Sequence, residues 1–236
     1  MLLRSITQHV KEQNWFAVLL DFLIVVVGIL IAFQITNWNE TRSDTAKYSQ
    51  LVQRLTEEFK VLETEWAGDV VGYTSTVNAT GALIKLLRAG NPPTDDALLR
   101  ESLYYANHFY ETPSLSAAFQ ELIASGGLAL ISNQALREAL FKYGDLHERL
   151  DRRISISLSA ILDPYSNYLE AVEWSEDPDD WVSPDTAIES YDWVKLVKSK
   201  SELQAWQAHQ VDGARNVKLI HEEVKKILTL LERDVN

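Results

Sequence analysis

Near the amino end of the chain polar residues all but vanish: WFAVLLDFLIVVVGILIAFQITNW, from Trp15 to Trp38, holds a single charge, Asp21. A helix crosses about 30 Å of hydrocarbon with roughly 20 mostly apolar residues, so the run predicts a transmembrane helix. No other segment approaches it. Trp15 and Trp38 stand at its ends, where amphipathic rings favour the two lipid-water boundaries. A cleaved signal peptide is the alternative, but the run is longer than a usual signal core and no A-x-A-like site follows it. Helix-compatible sequence continues through Asn39, Glu40 and Thr41, which favours an uncleaved anchor.

After the run the pattern changes to a period of three and four. Tyr48, Val52, Leu55, Phe59, Leu62, Trp66, Tyr73, Val77, Ile84 and Leu87 form one apolar seam, which predicts a stalk-like first helix of about 45 residues. Gly90 followed by Pro92-Pro93 ends it. A second helix is expected from Thr94 or Asp95 to about Phe109 and a third within SLSAAFQELIASGG, closed by Gly126-Gly127. Ser132 or Asn133 then caps a fourth, which buries Leu136, Leu140, Tyr143, Leu146, Leu150, Ile154, Leu158 and Ile161 until Asp163-Pro164 kinks or restarts it. Residues 173–200 read as an acidic loop. Ser201 and Gln204 resemble a capping box opening the last helix, whose stripe is Leu203, Trp206, Val217, Ile220, Val224, Ile227 and Leu231. With no alternating strand pattern, the expected fold is all-α: a transmembrane helix continuing into an antiparallel helical bundle. The expected organisation is a short cytoplasmic or interfacial segment (1–14), the span (15–38) and an extracytoplasmic bundle (39–236).

Net charge is −12, which disfavours nucleic acid as a partner, because phosphate binding needs clustered Lys and Arg. No cysteine is present, so thiolate catalysis, disulfides and cysteine-held zinc are excluded. Basic residues flank both ends of the run, Arg4 and Lys11 before it and Arg42, Lys47 and Arg54 after it. The positive-inside rule therefore discriminates little; the reading adopted puts the amino terminus in the cytoplasm and the acidic body outside. LLRSITQHVKEQNWF has the apolar and basic positions of an interfacial helix.

Within the run Asp21 needs an explanation, because a carboxylate in hydrocarbon costs several kcal/mol unless paired, protonated or near the interface. It marks either a helix-helix contact or proton-linked site, or a carboxylate reaching headgroup water. Asp21, Val25, Gly28, Ala32 and Thr36 share one stripe. Gly28-x-x-x-Ala32 is the spacing that lets two backbones approach, so the stripe is the candidate surface for packing on a second membrane helix. In the acidic segment Trp174 and Trp181 are candidates for a partner surface, or else anchors that tie the segment to the core. DPDDW lacks the spacing and glycine of a calcium loop, so no metal is expected there.

Motifs of catalysis are missing. The histidines stand apart; His147 and Asp151 share a helix face without a third ligand, and His221-Glu222-Glu223-Val224-Lys225 fails H-E-x-x-H at its last position. There is no G-x-S-x-G and no phosphate-cradling loop. No cofactor is expected.

The exit VVVGILIAFQITNWNETR resembles the V-I-G-I-L-I-A-L-Q-I-N-N-W-N-E signature of an uncharacterised family of single-span bacterial membrane proteins. FQELIASGGLALISNQALREALFKY resembles that family's second phrase, E-L-x-x-S-G-x-L-x-L-I-x-N-x-x-L-R, matched in order by Glu121, Leu122, Ser125, Gly126, Leu128, Leu130, Ile131, Asn133, Leu136 and Arg137. Thr36 stands where the signature has Asn, and Tyr143-Gly144 replaces a pair of tyrosines. The resemblance implies a basic cytoplasmic tail, one inner-membrane span and a periplasmic helical domain, and brings no established activity.

Together these features lead to the expectation of a non-enzymatic, membrane-anchored scaffold or accessory protein. Its partners would be the lipid bilayer and a membrane protein or a second copy of itself. The alternatives are an extracytoplasmic sensory or ligand-binding domain that acts through a separate membrane partner, and an enzyme or transport accessory with a site split among helices.

Overall fold

The computed structural model describes residues 15–94, 96–108, 110–161 and 166–235. It is all-α, 81 % helical and 3 % strand. Two compact units divide at Gln50 and Leu51. Within the first, the described residues form the opening part of α1 (Trp15–Ala89). The expected interfacial segment, 1–14, lies outside the described residues.

The second unit, Leu51–Asn236, is a bundle built from the rest of α1 with α2 (Asp96–Ala106), α3 (Ala117–Ala124), α4 (Gln134–Ile161) and α7 (Lys200–Val235). α1 stops where the apolar seam stops. Gly90 and Gly126, at the ends of α1 and α3, adopt φ of 85° and 68°, a left-handed conformation that glycine enters without the strain a Cβ brings. α3 begins later than its apolar pattern suggested because Ser116 is its cap, its Oγ accepting from the Phe119 amide at 3.1 Å. Asn133 performs the same service for α4, accepting from Leu136 at 3.2 Å. The residues expected to bound α2, Asp95 and Phe109, and the Asp163-Pro164 kink lie outside the described residues.

α7 runs antiparallel to both α4 and α1. Against α4, Lys142 meets Glu223 at 2.5 Å, and Arg153 meets Asp212 further back along α7. Burial opposes the charge on Glu223, yet Lys142 and Lys226 hold its carboxyl below the usual carboxylate range. Against α1, His221 lies 2.9 Å from Glu63 and the Gln207 amide donates to the Val77 carbonyl at 3.4 Å. Around these pairs the expected seam residues close into a core: Leu55, Phe59 and Trp66 of α1, Leu140 and Tyr143 of α4 and Ile220, Val224 and Ile227 of α7 are all fully buried. Phe59, Phe119 and Tyr143 meet edge to face, with centroids 5.2 to 6.4 Å apart.

Gly213 marks a close approach of α7 to α1, since a Cβ there would sit 2.6 Å from the buried Tyr73 ring. Alanine raises helix propensity by about 0.5–1 kcal/mol over glycine, but overpacking a closed core costs about 1–3 kcal/mol. Gly213→Ala is therefore expected to lower the melting temperature; a rise would show that the ring can move aside.

Two expectations are corrected. Residues 173–200 are no loop. β1 (Val172–Trp174) pairs antiparallel with β2 (Ile188–Tyr191), Val172 opposite Tyr191 and Trp174 opposite Ile188, with an irregularity between Glu173 and Trp174. A 3₁₀ turn (Pro178–Val182) and α5 (Pro184–Ala187) join the strands. Strands of three and four residues, one interrupted, are too short to show a period of two. The second correction concerns Ser201, which lies inside α7. The chain already turns at α6 (Trp193–Lys198), where the Asp192 carboxylate caps Val194 and Lys195, and the Ser199 carbonyl accepts from the Leu203 amide at 2.9 Å.

Candidate functional site

Three surfaces gather the residues singled out above, and one adds residues that were missed. The first is the apolar run. α1 is the one helix among the described residues long and apolar enough to cross a membrane, and none of its most apolar window is buried. Val25 is 58 % exposed; Asp21, Gly28, Ala32 and Thr36 are exposed too, and a Cβ on Gly28 would meet nothing within 4 Å. The Thr36 hydroxyl donates to the Ala32 carbonyl at 3.0 Å, which satisfies it within the helix. Trp15 opens α1. Trp38 is exposed, and the Arg42 guanidinium lies 5.8 Å from its ring centroid, a cation–π pair one turn beyond the run.

The second surface is the acidic hairpin formed by β1, β2 and their connection. Asp96, Arg100 and Tyr104 recur at intervals of four on α2, so they share one helix face, and this face grips it. The Tyr191 hydroxyl donates to Asp96 at 2.6 Å, Arg100 donates to the Ile188 carbonyl, and the Tyr104 hydroxyl donates to the Trp181 carbonyl at 2.7 Å. Tyr191 and Arg100 hold the Asp96 carboxyl below its ordinary range. Trp174 is half-buried against the core. Trp181 stacks on it with centroids 5.4 Å apart, and its indole N–H donates to the Ser175 carbonyl at 2.9 Å. Trp181 remains 48 % exposed and its neighbour Val182 81 %, beside the exposed carboxylates of Glu176, Asp177, Asp179 and Asp185.

The third is a groove of about 700 Å³ between α1 and the connection from α2 to α3, bordered by Glu58, Glu65, Asp69 and Glu111, with Leu62 and Ala117 among its apolar lining. Among the described residues no lysine, arginine or histidine lines it. Glu58 is committed, its carboxylate accepting from the Ala118 amide at 2.8 Å near the start of α3. Burial, reinforced by Glu65, pushes the Asp69 carboxyl up to about 6. Burial, with the Asp69 charge adding to it, pushes the Tyr73 hydroxyl up to about 12. The spacing of Glu58, Glu65 and Asp69 by seven and four places them on one side of α1, a pattern visible in the sequence once the polar face is read as closely as the apolar one. Glu111 joins them only through the fold.

Asp69 holds its proton more tightly folded than unfolded, so its stabilising contribution is complete below the ordinary value of 3.8 and is lost as pH rises to about 6. A shift of this size corresponds to about 3 kcal/mol, which screening at a half-exposed site reduces to about 1 kcal/mol. Asp69→Asn should accordingly stabilise the fold by about 1 kcal/mol at pH 7.5 and by nothing near pH 4, as followed by urea unfolding at both values; equal effects at both would refute it.

His147 and Asp151 line another groove together with Phe119, but the His147 Nε2 is 2.7 Å from the Pro113 carbonyl, and its ring packs edge-on against Trp66. It ties the turn before α3 to α4. His221 is taken by Glu63. Among the described residues no three His, Cys, Asp or Glu side chains converge to hold a metal ion.

No family model, curated protein or solved structure matches this chain. Any functional reading therefore rests on these surfaces and on the two sequence phrases at the membrane exit and around α3.

Proposed function

We propose that the chain is a single-span membrane protein whose helical body is a non-enzymatic scaffold or accessory module that engages another protein. The carrying observation is the exposed apolar face of α1. A run including Phe22 at 65 %, Ile24 at 61 % and Phe33 at 64 % exposure is far beyond the scattered apolar surface of a water-soluble chain, and lipid is the medium that satisfies it. The resemblance of the exit phrase to single-span bacterial proteins supports an inner-membrane address, with the amino end cytoplasmic and the body periplasmic. The Asp21, Val25, Gly28, Ala32 and Thr36 stripe is then the face for a second membrane helix, a partner's or another copy's. The hairpin presents Trp181 and Val182 within carboxylates, a face suited to a segment carrying Lys or Arg beside apolar residues.

Photocrosslinkers at Val25 and Ala32 in native membranes test the helix contact, with Leu23 and Leu30 on the opposite face as controls. Adducts from the stripe alone support it; the same yield from both faces, or none, removes it. A ligand-sensing body is the second reading, favoured by the groove beside Asp69, whose volume suits a small molecule. Protection of Asp69 against carboxylate labelling by a periplasmic metabolite fraction would favour this second reading.

A further inference from the structure

Between α4 and α7, against Tyr73 of α1, lies a slot of about 320 Å³ that is smaller and more enclosed than the groove beside Asp69. Its walls are mostly apolar. Tyr73, Leu150 and Ile154 line it together with Gly213, and the first three are 2 %, 1 % and 8 % exposed. The volume stands at the low end of the range for small-molecule clefts, about 300–1,000 Å³, which suits one ring or a fused pair.

The polar groups of the slot are Arg153, Ser157, His209 and Asp212. Arg153 of α4 donates to Asp212 of α7, so their charges cancel and the slot is neutral within a chain of net charge −12. The Tyr73 hydroxyl is spent on the Tyr110 carbonyl at 3.3 Å. Ser157 is buried, and its hydroxyl donates one turn back to the Arg153 carbonyl at 2.8 Å, the usual way a helix satisfies a hydroxyl.

That bond decides the state of a neighbour. The Ser157 oxygen also lies 3.2 Å from His209 Nδ1, and a hydroxyl has a single proton, so this contact is donated by the ring N–H. A neutral imidazole protonated on Nδ1 keeps its lone pair on Nε2. His209 is exposed, and Nε2 has no partner among the described residues. The slot therefore offers apolar walls, no net charge and one uncommitted acceptor.

We propose that this slot binds a small neutral molecule with an apolar ring body and a single hydroxyl or ring N–H, a phenol or an indole. Its ring lies among Tyr73, Leu150 and Ile154, and its donor meets His209 Nε2. A carboxylate ligand would face the Nε2 lone pair and Asp212, and an ammonium would face Arg153. A neutral donor meets neither penalty and leaves the bridge between α4 and α7 intact. The site is separate from the groove beside Asp69 and does not rest on it.

Photolabelling of the full chain in native membranes tests this, with a phenol that carries a trifluoromethyl-diazirine para to the hydroxyl as the probe. Adducts should map to residues 150–157 and 208–213, besides any that lipid-dissolved probe leaves on the apolar run. p-Cresol should displace the slot adducts at about one tenth of the free concentration that p-xylene needs, since the two share a shape and differ by one donor. His209→Phe keeps a ring at an exposed position and removes the acceptor, so p-cresol should lose that advantage. Ala208→Trp, at another exposed residue of the slot, should fill it and remove the adducts while the helical circular dichroism stays unchanged. Absence of adducts from the two segments, or equal potency of the two competitors, would overturn the proposal. So would a p-cresol advantage that survives His209→Phe, or adducts that persist in Ala208→Trp.

Discussion

Arginine at both Val27 and Leu30 will drive the chain out of the bilayer. Each arginine near the centre of a span adds about 2.5–3.5 kcal/mol on insertion scales, where a valine or leucine had contributed about −0.5. The pair shifts insertion by about 6 kcal/mol or more, roughly four powers of ten. Val27 and Leu30 are 46 % and 58 % exposed, so no bundle packing is lost and the body should keep its helical circular dichroism. The measurement is the share of newly made chain that integrates into inverted inner-membrane vesicles, which should fall from nearly all to a small minority. Val71→Arg with Ile156→Arg, at exposed positions of the body, is the control and should integrate as the native chain does. Full integration of the doubly substituted span would mean that the apolar run is not what holds the protein in the membrane.

Trp206→Ala will destabilise the body by about 3–5 kcal/mol, the range for deleting a large aromatic from a closed core. The ring is 2 % exposed, lies edge-on to Tyr168 at 5.0 Å, and joins the cluster made by α1, α2, the hairpin and α7. Tyr168 is itself fixed, its hydroxyl donating to the Leu103 carbonyl at 2.5 Å, so the cavity cannot collapse around it. Marginal stability of about 5–15 kcal/mol for a domain makes such a loss a large part of the total. Urea unfolding should show a much lower midpoint at unchanged slope, and a loss below about 1 kcal/mol would show that this cluster does not bear on the fold.

What the sequence disclosed and what it hid follow a physical divide. Long amphipathic elements repeat their signal over many turns, so the seam from Val52 to Leu87 and the stripe from Leu203 to Leu231 were legible; both fall on buried residues, apart from Val77, which is only partly covered. Caps are local chemistry, which is why Asn133 could be named as a candidate from its position alone. The hairpin escaped because its strands hold three and four residues and their partners are far apart in the chain. Ser201 misled because a capping box is also ordinary helix interior when the preceding turn has already begun at Trp193. The groove needed both kinds of information: Glu58, Glu65 and Asp69 share a face that periodicity reveals, whereas Glu111 arrives from a turn whose path depends on packing.

The claim on which the rest depends is that α1 stays in the lipid. An alkaline carbonate wash of membranes that contain the native full-length chain tests it most directly. The account predicts that the intact polypeptide, residues 1–38 included, remains with the pellet and leaves it only in detergent. Recovery of the full-length chain in the wash, or a mature form lacking residues 1–38, would contradict it.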